Sequence, residues 1–166
     1  MKAYRIEQLV KQDRSRFDCG TGVLNNYLKK QARQEQRRKF CTCYLVIENA
    51  SDTAVGFYTL SSSSIALASL PDRLRKKLPR YHDVPVARLG RLAVDQTCQG
   101  QGLGFALVYD AIKRICTSGV GTYAIVVDAK DAAAVAFYER VGFELFAEKQ
   151  NMLYLPMATA ITLLES

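Results

Sequence analysis

Gln99-Gly100-Gln101-Gly102-Leu103-Gly104 stands between a strand pattern, Val86 to Val94 (VARLGRLAV), and an apolar-periodic helix pattern of about Leu103 to Cys116. A strand, a glycine-rich turn and a helix in that order bring several backbone N–H groups to a helix N-terminus with no Cβ in the way. That arrangement is an anion site, and phosphate is its expected guest. A Walker A loop would need GxxxxGK followed by Ser or Thr, and no such lysine is present. A Rossmann loop would need GxGxxG. Gly100, Gly102 and Gly104 provide GxGxG, with Asp128 at a workable distance for a ribose contact, but that loop usually opens a fold. Here it follows a run of strands that reads as antiparallel. A plain glycine-rich connector is the remaining reading of the spacing alone.

Outward from the loop, the chain suits one domain, expected to span residues 1–166. On the N-terminal side, Tyr4 to Leu9 suits an edge strand. Phe17-Asp18-Cys19-Gly20-Thr21-Gly22 suits a turn with Thr21 as N-cap. Val23, Leu24, Tyr27, Leu28 and Ala32 then repeat as the buried stripe of a helix, while Lys29, Arg33 and Arg37 fall at i, i+4, i+8 on another face. Phe40 to Glu48 and Ala54 to Ser61 read as a hairpin across Asn49-Ala50-Ser51-Asp52. Leu70 to Pro79 predicts a short helix with Leu70, Leu74 and Leu78 inward, and Gly90 predicts a bulge or bend in its strand. Beyond the loop, Thr122 to Asp128 is apolar enough for a central strand. Asp131 to Val141 predicts a helix capped by Gly142, and Phe143 to Phe146 and Asn151 to Pro156 are expected as closing strands.

Composition removes several classes of function. Uncharged stretches such as Ser61 to Leu70 and Val120 to Val127 are too polar or too β-like to cross a bilayer, so no membrane partner is expected. Met1-Lys2-Ala3-Tyr4-Arg5-Ile6-Glu7 lacks the apolar run of a signal peptide, which points to a cytoplasmic protein. Five scattered cysteines (Cys19, Cys41, Cys43, Cys98 and Cys116), one histidine and no CxxC pair suit reduced thiols and no metal site. Cys41 and Cys43 alternate on a strand pattern and suit core packing. The balance of 23 Lys plus Arg against 16 Asp plus Glu leaves +7, which points to a polyanionic partner.

Two motifs make the reading specific. Gln99-x-x-Gly102-x-Gly104, after a strand ending Arg91-Leu92-Ala93-Val94, resembles the Arg/Gln-x-x-Gly-x-Gly/Ala pyrophosphate loop of the GNAT acetyltransferases. Ala136-Phe137-Tyr138-Glu139-Arg140-Val141-Gly142-Phe143 resembles that family's later F-Y-x-x-x-G-F segment. The resemblance continues into the GNAT toxins of toxin–antitoxin pairs. It is carried there by Phe17-Asp18-Cys19-Gly20, Gly56-Phe57-Tyr58-Thr59-Leu60-Ser61, Leu70-Pro71 through Leu78-Pro79-Arg80-Tyr81, and Arg88-Leu89-Gly90-Arg91-Leu92-Ala93-Val94-Asp95. The resemblance implies an α/β (α+β) GNAT fold, a mixed, largely antiparallel sheet with helices on both faces, splayed between the strands ending at Val94 and Asp128. It implies acetyl-coenzyme A as co-substrate and transfer of acetyl to the α-amino group of aminoacyl-tRNA, which blocks translation. It also implies a ribbon-helix-helix antitoxin, operator DNA reached through that antitoxin, and a homodimer. The alternatives are a GNAT enzyme acting on protein N-termini or a small amine, and a catalytically inert RNA- or DNA-binding module.

Carried over residue by residue, the resemblance places pyrophosphate on the backbone of Gln99, Gly100, Gly102, Leu103, Gly104 and Phe105. The pantetheine arm falls along Leu92, Ala93 and Val94 as an added strand. Tyr138 stands where the family places its general acid, and Asp131 stands where many members carry Asn, so it is expected to cap its helix instead. Cys98, the one thiol beside the loop, is a weaker candidate for an acyl carrier. The strand leading to the loop holds Arg88 and Arg91 and no Glu, and His82 sits in a Tyr-His-Asp turn as a surface or capping residue. A lysine amine is neutral only about once in two or three thousand at pH 7, whereas an α-amine is neutral about one time in six. The missing base therefore favours an α-amino substrate. Lys29, Lys30, Arg33, Arg37, Arg38 and Lys39 form one basic cluster, and Arg73, Arg75, Lys76, Lys77 and Arg80 a second; with Arg88 and Arg91 they are the candidate tRNA track. Few exposed aromatics are evident, so recognition through shape and phosphate is expected.

Overall fold

A computed structural model describes residues 2–166. Strand β1 (Tyr4–Gln8) is followed by α1 (Gly22–Asn26), a π-helical turn (Tyr27–Gln31) and α2 (Ala32–Arg37). Then come β2 (Thr42–Glu48), β3 (Thr53–Ala66), α3 (Asp72–Arg75) and β4 (Asp83–Val94). The second half holds α4 (Leu103–Thr117), β5 (Ala124–Asp128), α5 (Ala132–Val141), β6 (Glu144–Leu145), β7 (Met152–Pro156) and α6 (Met157–Leu164). The sheet order is β1-β2-β3-β4-β5-β7-β6. The β1–β2, β2–β3, β5–β7 and β6–β7 pairs are antiparallel and β4–β5 is parallel, so the sheet is mixed and largely antiparallel as expected. Parallel neighbours need a long crossover, and α4 provides it.

The chain divides into two compact units. The first comprises the residues up to Ser61 together with Gly90–Ala111. Its core joins Tyr27, Leu28 and Ala32 to Leu45, Ile47, Phe57 and Ala93, with Phe17 edge-on to Phe57 at 5.6 Å. The opposite side of the same strands receives α4: a Cβ on Gly56 would stand 3.5 Å from Leu107 Cδ1, and the Tyr58 hydroxyl donates to Asp110 at 2.5 Å. Period-2 alternation of the strands thus feeds a helix on each face of this unit.

The second unit comprises Ser62–Leu89 and Ile112–Ser166. Its core joins Ile65, Leu70, Val84 and Val86 to Ala124, Val126, Phe146 and Tyr154. The β4–β5 register runs from Val86↔Ala124 to Leu89↔Val127, and β4 continues to Val94 beyond the last registered pair.

Several expectations need correction. Val23 is 80% exposed and Leu24 half-buried, so the buried stripe begins at Tyr27. The π-helical turn rotates the helix and displaces the i, i+4 arithmetic drawn for Lys29 and Arg33. Thr21 is extended at the N-cap position but makes no side-chain cap bond. The Leu70–Pro79 helix is only Asp72–Arg75, with Leu70 buried and Leu74 and Leu78 half-buried. Strand β2 starts at Thr42, because Lys39 takes φ 66 and turns the chain away before Phe40. Within β4, a Cβ on Gly90 would meet Thr59 Oγ1 at 2.9 Å, so close approach requires the glycine there. Helix α6 carries no polar cap signal in the sequence; its N-cap is Pro156, and the Met157 N–H donates to Tyr123 O at 2.8 Å.

Candidate active site

The glycine loop is held from beneath by a buried carboxylate. Asp95 accepts hydrogen bonds from Thr97 N at 3.0 Å, Thr97 Oγ1 at 2.8 Å and Asp18 N at 3.0 Å. Asp18 in turn accepts from Gly20 N and Asn25 Nδ2, each at 2.9 Å, and its backbone carbonyl accepts from Gln96 N at 2.8 Å. The Gly20 N–H bond, with the Asn25 bond behind it, holds the Asp18 carboxyl below the usual carboxylate range. The Phe17–Gly20 turn therefore clamps the exit of β4. Gln99 completes the clamp by donating from Nε2 to Val94 O at 2.9 Å and to Cys19 O at 3.3 Å. Asp95 was not singled out in the sequence, although an Asp two residues before Thr97 is an Asx-type signal.

Gly100 and Gly102 take φ 79 and φ 83, a region closed to most L side chains, and a Cβ at either would meet nothing within 4 Å. The glycines are thus required by conformation and not by crowding, and the loop faces open space. The Gly102 carbonyl accepts from Ala106 N at 3.1 Å, and buried Leu103 anchors the start of α4. The N–H groups of Leu103 and Gly104 consequently head a fifteen-residue helix, the place where a phosphate is favoured. Ala93 is buried in the first unit's core, while Leu92 and Val94 are half-buried on the alternate side. The end of β4 at Leu92 and Val94, the open loop and the helix start are the elements that a diphosphate on an extended pantetheine arm would use, although Val94 O already accepts from Gln99.

Arg91 lies on the strand face shared with Ala93. Its guanidinium sits 3.7 Å from the centroid of the Tyr27 ring, and its backbone N donates to Thr59 Oγ1 at 3.1 Å. Tyr27 lies in the π-helical turn and donates to Glu35 Oε1 at 2.9 Å, with Cys41 Sγ at 3.4 Å. Burial foremost, with those two partners, pushes the Tyr27 phenol above its usual range. The ring therefore stays neutral as the seat of a cation.

In the second unit, Asp131 caps α5 by accepting from Ala134 N at 2.8 Å, and Gly142 ends the helix at φ 125. Tyr138 is buried between Phe137, 5.1 Å away, and Phe143, 5.3 Å away. Its hydroxyl makes no hydrogen bond among the described residues, and burial pushes its pKa above the phenol range. It is thus a neutral donor whose proton is not already committed to the protein.

The structure sorts the candidate cations. Lys30, Arg33, Arg37, Arg38 and Lys39 are exposed and form no ion pair among the described residues; Lys29 is exposed beside the field of Asp18. Gln34, Arg37 and Arg38 line a surface pocket of about 260 Å³. Arg75 pairs with Asp72 and Arg73 with Glu144, whereas Lys76, Lys77 and Arg80 are exposed without an ion pair among the described residues. Arg88 is paired to Asp128 at 2.5 Å. Few aromatics are exposed among the described residues, as expected; two of them, Phe40, 74% exposed, and Tyr81, 73% exposed, each stand beside a basic cluster in the sequence. Cys98 is buried and His82 is exposed beside Asp83 at 3.0 Å. All five cysteines are free thiols; Cys43 is buried and pushed up to about 12 by burial, and Cys41 is half-buried. No helix among the described residues is long and apolar enough to cross a membrane.

Comparison with known proteins bears on the family and the fold. The profile of the Acetyltransferase (GNAT) family matches residues 11–143. The tRNA-acetylating toxin of Mycobacterium tuberculosis (strain ATCC 25618 / H37Rv) is 37% identical over 154 residues, 92% of this chain and 90% of the relative. Among solved structures, AtaT complexed with acetyl-methionyl-tRNAfMet superposes with a TM-score of 0.89 at 34% identity, covering 99% of this chain and 100% of that one. A point mutant of the AtaT toxin, bound to the C-terminus of the antitoxin AtaR and acetyl-CoA, has a TM-score of 0.82 at 29% identity, covering 98% and 99%.

Proposed function

Since the chain belongs to the GNAT acetyltransferase family, we propose that it transfers acetyl from acetyl-coenzyme A to the α-amino group of aminoacyl-tRNA and so blocks translation. It does so in the cytoplasm as the toxin of a toxin–antitoxin pair, restrained by a ribbon-helix-helix antitoxin that also binds operator DNA. The family match crosses both compact units, which supports one catalytic domain, and a homodimer is the working assembly. The single observation that carries the reading is the open, glycine-only loop at the head of α4 in a chain whose near full-length relative is a tRNA-acetylating toxin.

The roles follow from the chemistry of each group. Loop amides from Gln99 to Phe105 hold the diphosphate, and Leu92, Ala93 and Val94 offer backbone to the pantetheine arm. Acetyl-coenzyme A supplies an activated thioester. Tyr138 gives its phenolic proton to the sulfur as the C–S bond breaks and regains one from the amine nitrogen once the new C–N bond has formed. Burial favours the neutral phenol throughout, which suits an acid and not a base. The strand leading to the loop holds Arg88 and Arg91 and no Glu, so an amine that is already partly neutral is the substrate this arrangement suits. Lys29, Lys30, Arg33, Arg37 and Arg38, with Lys76, Lys77 and Arg80, form the phosphate track. Arg75 and Arg88 contribute less to it because each already has a carboxylate partner. Arg91, seated on Tyr27, presents its remaining donors to the acceptor end.

The test is incubation with labelled acetyl-coenzyme A and, separately, charged tRNA, deacylated tRNA and peptides. Label on charged tRNA, released by mild base as an N-acetyl amino acid, supports the reading. Label on peptides with none on charged tRNA overturns it.

A further inference from the structure

Phe40 has no role in the chemistry above, yet it is among the most exposed apolar side chains, at 74%. It does not ride on a loose loop. Its N–H donates to Glu35 O and the Lys39 N–H donates to Gln36 O, each at 3.0 Å, with Lys39 left-handed at φ 66. These paired bonds are a Schellman closure of α2. In that closure the apolar residue after the left-handed position ordinarily packs back on the helix. Here its helix neighbour Glu35 is turned to the Tyr27 hydroxyl, and the Phe40 ring faces water. A lysine also occupies the position that glycine would fill without strain. Two unfavourable choices therefore fix one aromatic ring at the end of the basic ridge.

We propose that Phe40 is a stacking platform for an unpaired nucleobase of the RNA acceptor, with Arg37, Arg38 and Lys39 taking the flanking phosphates. The inference rests on the tRNA reading above and names how that substrate is gripped. An exposed aromatic among cations is the arrangement that binds unpaired bases, because every base offers a π-face and its backbone offers charge. Charge complementarity selects this occupant: Arg37, Arg38 and Lys39 are exposed without an ion pair among the described residues, and Arg37 and Arg38 line a surface pocket of about 260 Å³. Phe40 is the only apolar side chain in the run Gln34 to Phe40, whereas a protein partner docks on a contiguous apolar patch.

The chain contains no tryptophan, so Phe40→Trp introduces a single reporter. Its fluorescence is expected to be quenched by tRNA and not by heparin at equal charge, because heparin has no bases. Phe40→Ala is expected to raise the KM for charged tRNA about tenfold, the effect of losing one base–aromatic stack, with the KM for acetyl-coenzyme A unaltered. Phe40→Tyr should restore the wild-type KM and Phe40→Leu should not. Wild-type KM in both the Ala and Leu variants, equal quenching by heparin, or rescue by Leu would overturn the proposal. So would a change in sedimentation of the free Phe40→Ala protein, which would give the ring to a second copy of the chain. Failure of the wild type to label any charged tRNA would instead sink the substrate assignment, an outcome read independently of the fluorescence.

Discussion

Replacing Gly100 and Gly102 with alanine separates conformation from crowding. At φ 79 and φ 83 a Cβ would find nothing within 4 Å, so no clash adds to the effect. What remains is the backbone strain of an L-residue in the left-handed region, about 1–2 kcal/mol at each position. That strain must appear in one of two places. If the loop keeps its shape, the folded state bears it, and Tm falls by about 3–6 °C per substitution in a protein of this size. If the loop relaxes, its amides cease to converge, stability is spared, and the KM for acetyl-coenzyme A rises by about 5- to 30-fold. Thermal unfolding with and without acetyl-coenzyme A, alongside the KM, distinguishes the two. Gly119, at φ 78 with equally open surroundings in the α4–β5 connection, is the control. Gly119→Ala should lower Tm by the same amount and leave the KM alone. A Gly100→Ala/Gly102→Ala protein with wild-type Tm and wild-type KM would refute both the glycine-only geometry and the assignment of the loop to the diphosphate.

Other perturbations are expected to act through single groups. Tyr138→Phe should lower kcat by about 10²–10⁴ with little change in the KM for acetyl-coenzyme A; an unchanged kcat would remove Tyr138 from the chemistry. Between pH 6 and 9 the wild-type kcat/KM for charged tRNA should rise as the substrate amine loses its proton, and then level. The acid form of Tyr138 persists below its pKa, and burial raises that pKa, so a descending limb centred near pH 8 would contradict its role. Asp95→Ala strips three donors of their acceptor and should destabilise by about 2–4 kcal/mol, read as a Tm fall of roughly 6–12 °C. Arg33→Ser with Arg37→Ser should weaken tRNA binding and reduce the salt dependence of log K by roughly 0.7–0.9 per charge, whereas Arg88→Gln should do less because Asp128 already neutralises it. Equal slopes for the two variants would remove that distinction.

The local code was legible where chemistry is local. Left-handed turns need glycine, so the candidate phosphate loop announces itself at Gly100 and Gly102, and Asp131 and Gly142 mark the ends of α5 by their own conformational and capping properties. The aromatic and β-branched residues of β2 and β3 likewise mark them as strands before any contact is known, because those side chains favour extended backbone. Less could be read where an outcome depends on what lies opposite. Asp95 looks like an ordinary turn residue until Asp18, 77 positions away, is brought to it, and Arg88 looks like a free cation until Asp128, 40 positions away, pairs with it. Arg91 is placed on Tyr27 only by the packing of β4 against the π-helical turn. Val23 reads as part of the buried stripe by pattern and is exposed, and Phe40 reads as the start of a strand but stands outside β2, just after the left-handed Lys39. The sequence by itself determined the fold class and singled out a candidate loop for the donor and Tyr138 as the candidate acid, since each is written in backbone preference or in a contiguous motif. Which cations stay unpaired and which aromatic meets solvent was decided only by the tertiary structure, because both depend on neighbours that the chain brings in from far along its length.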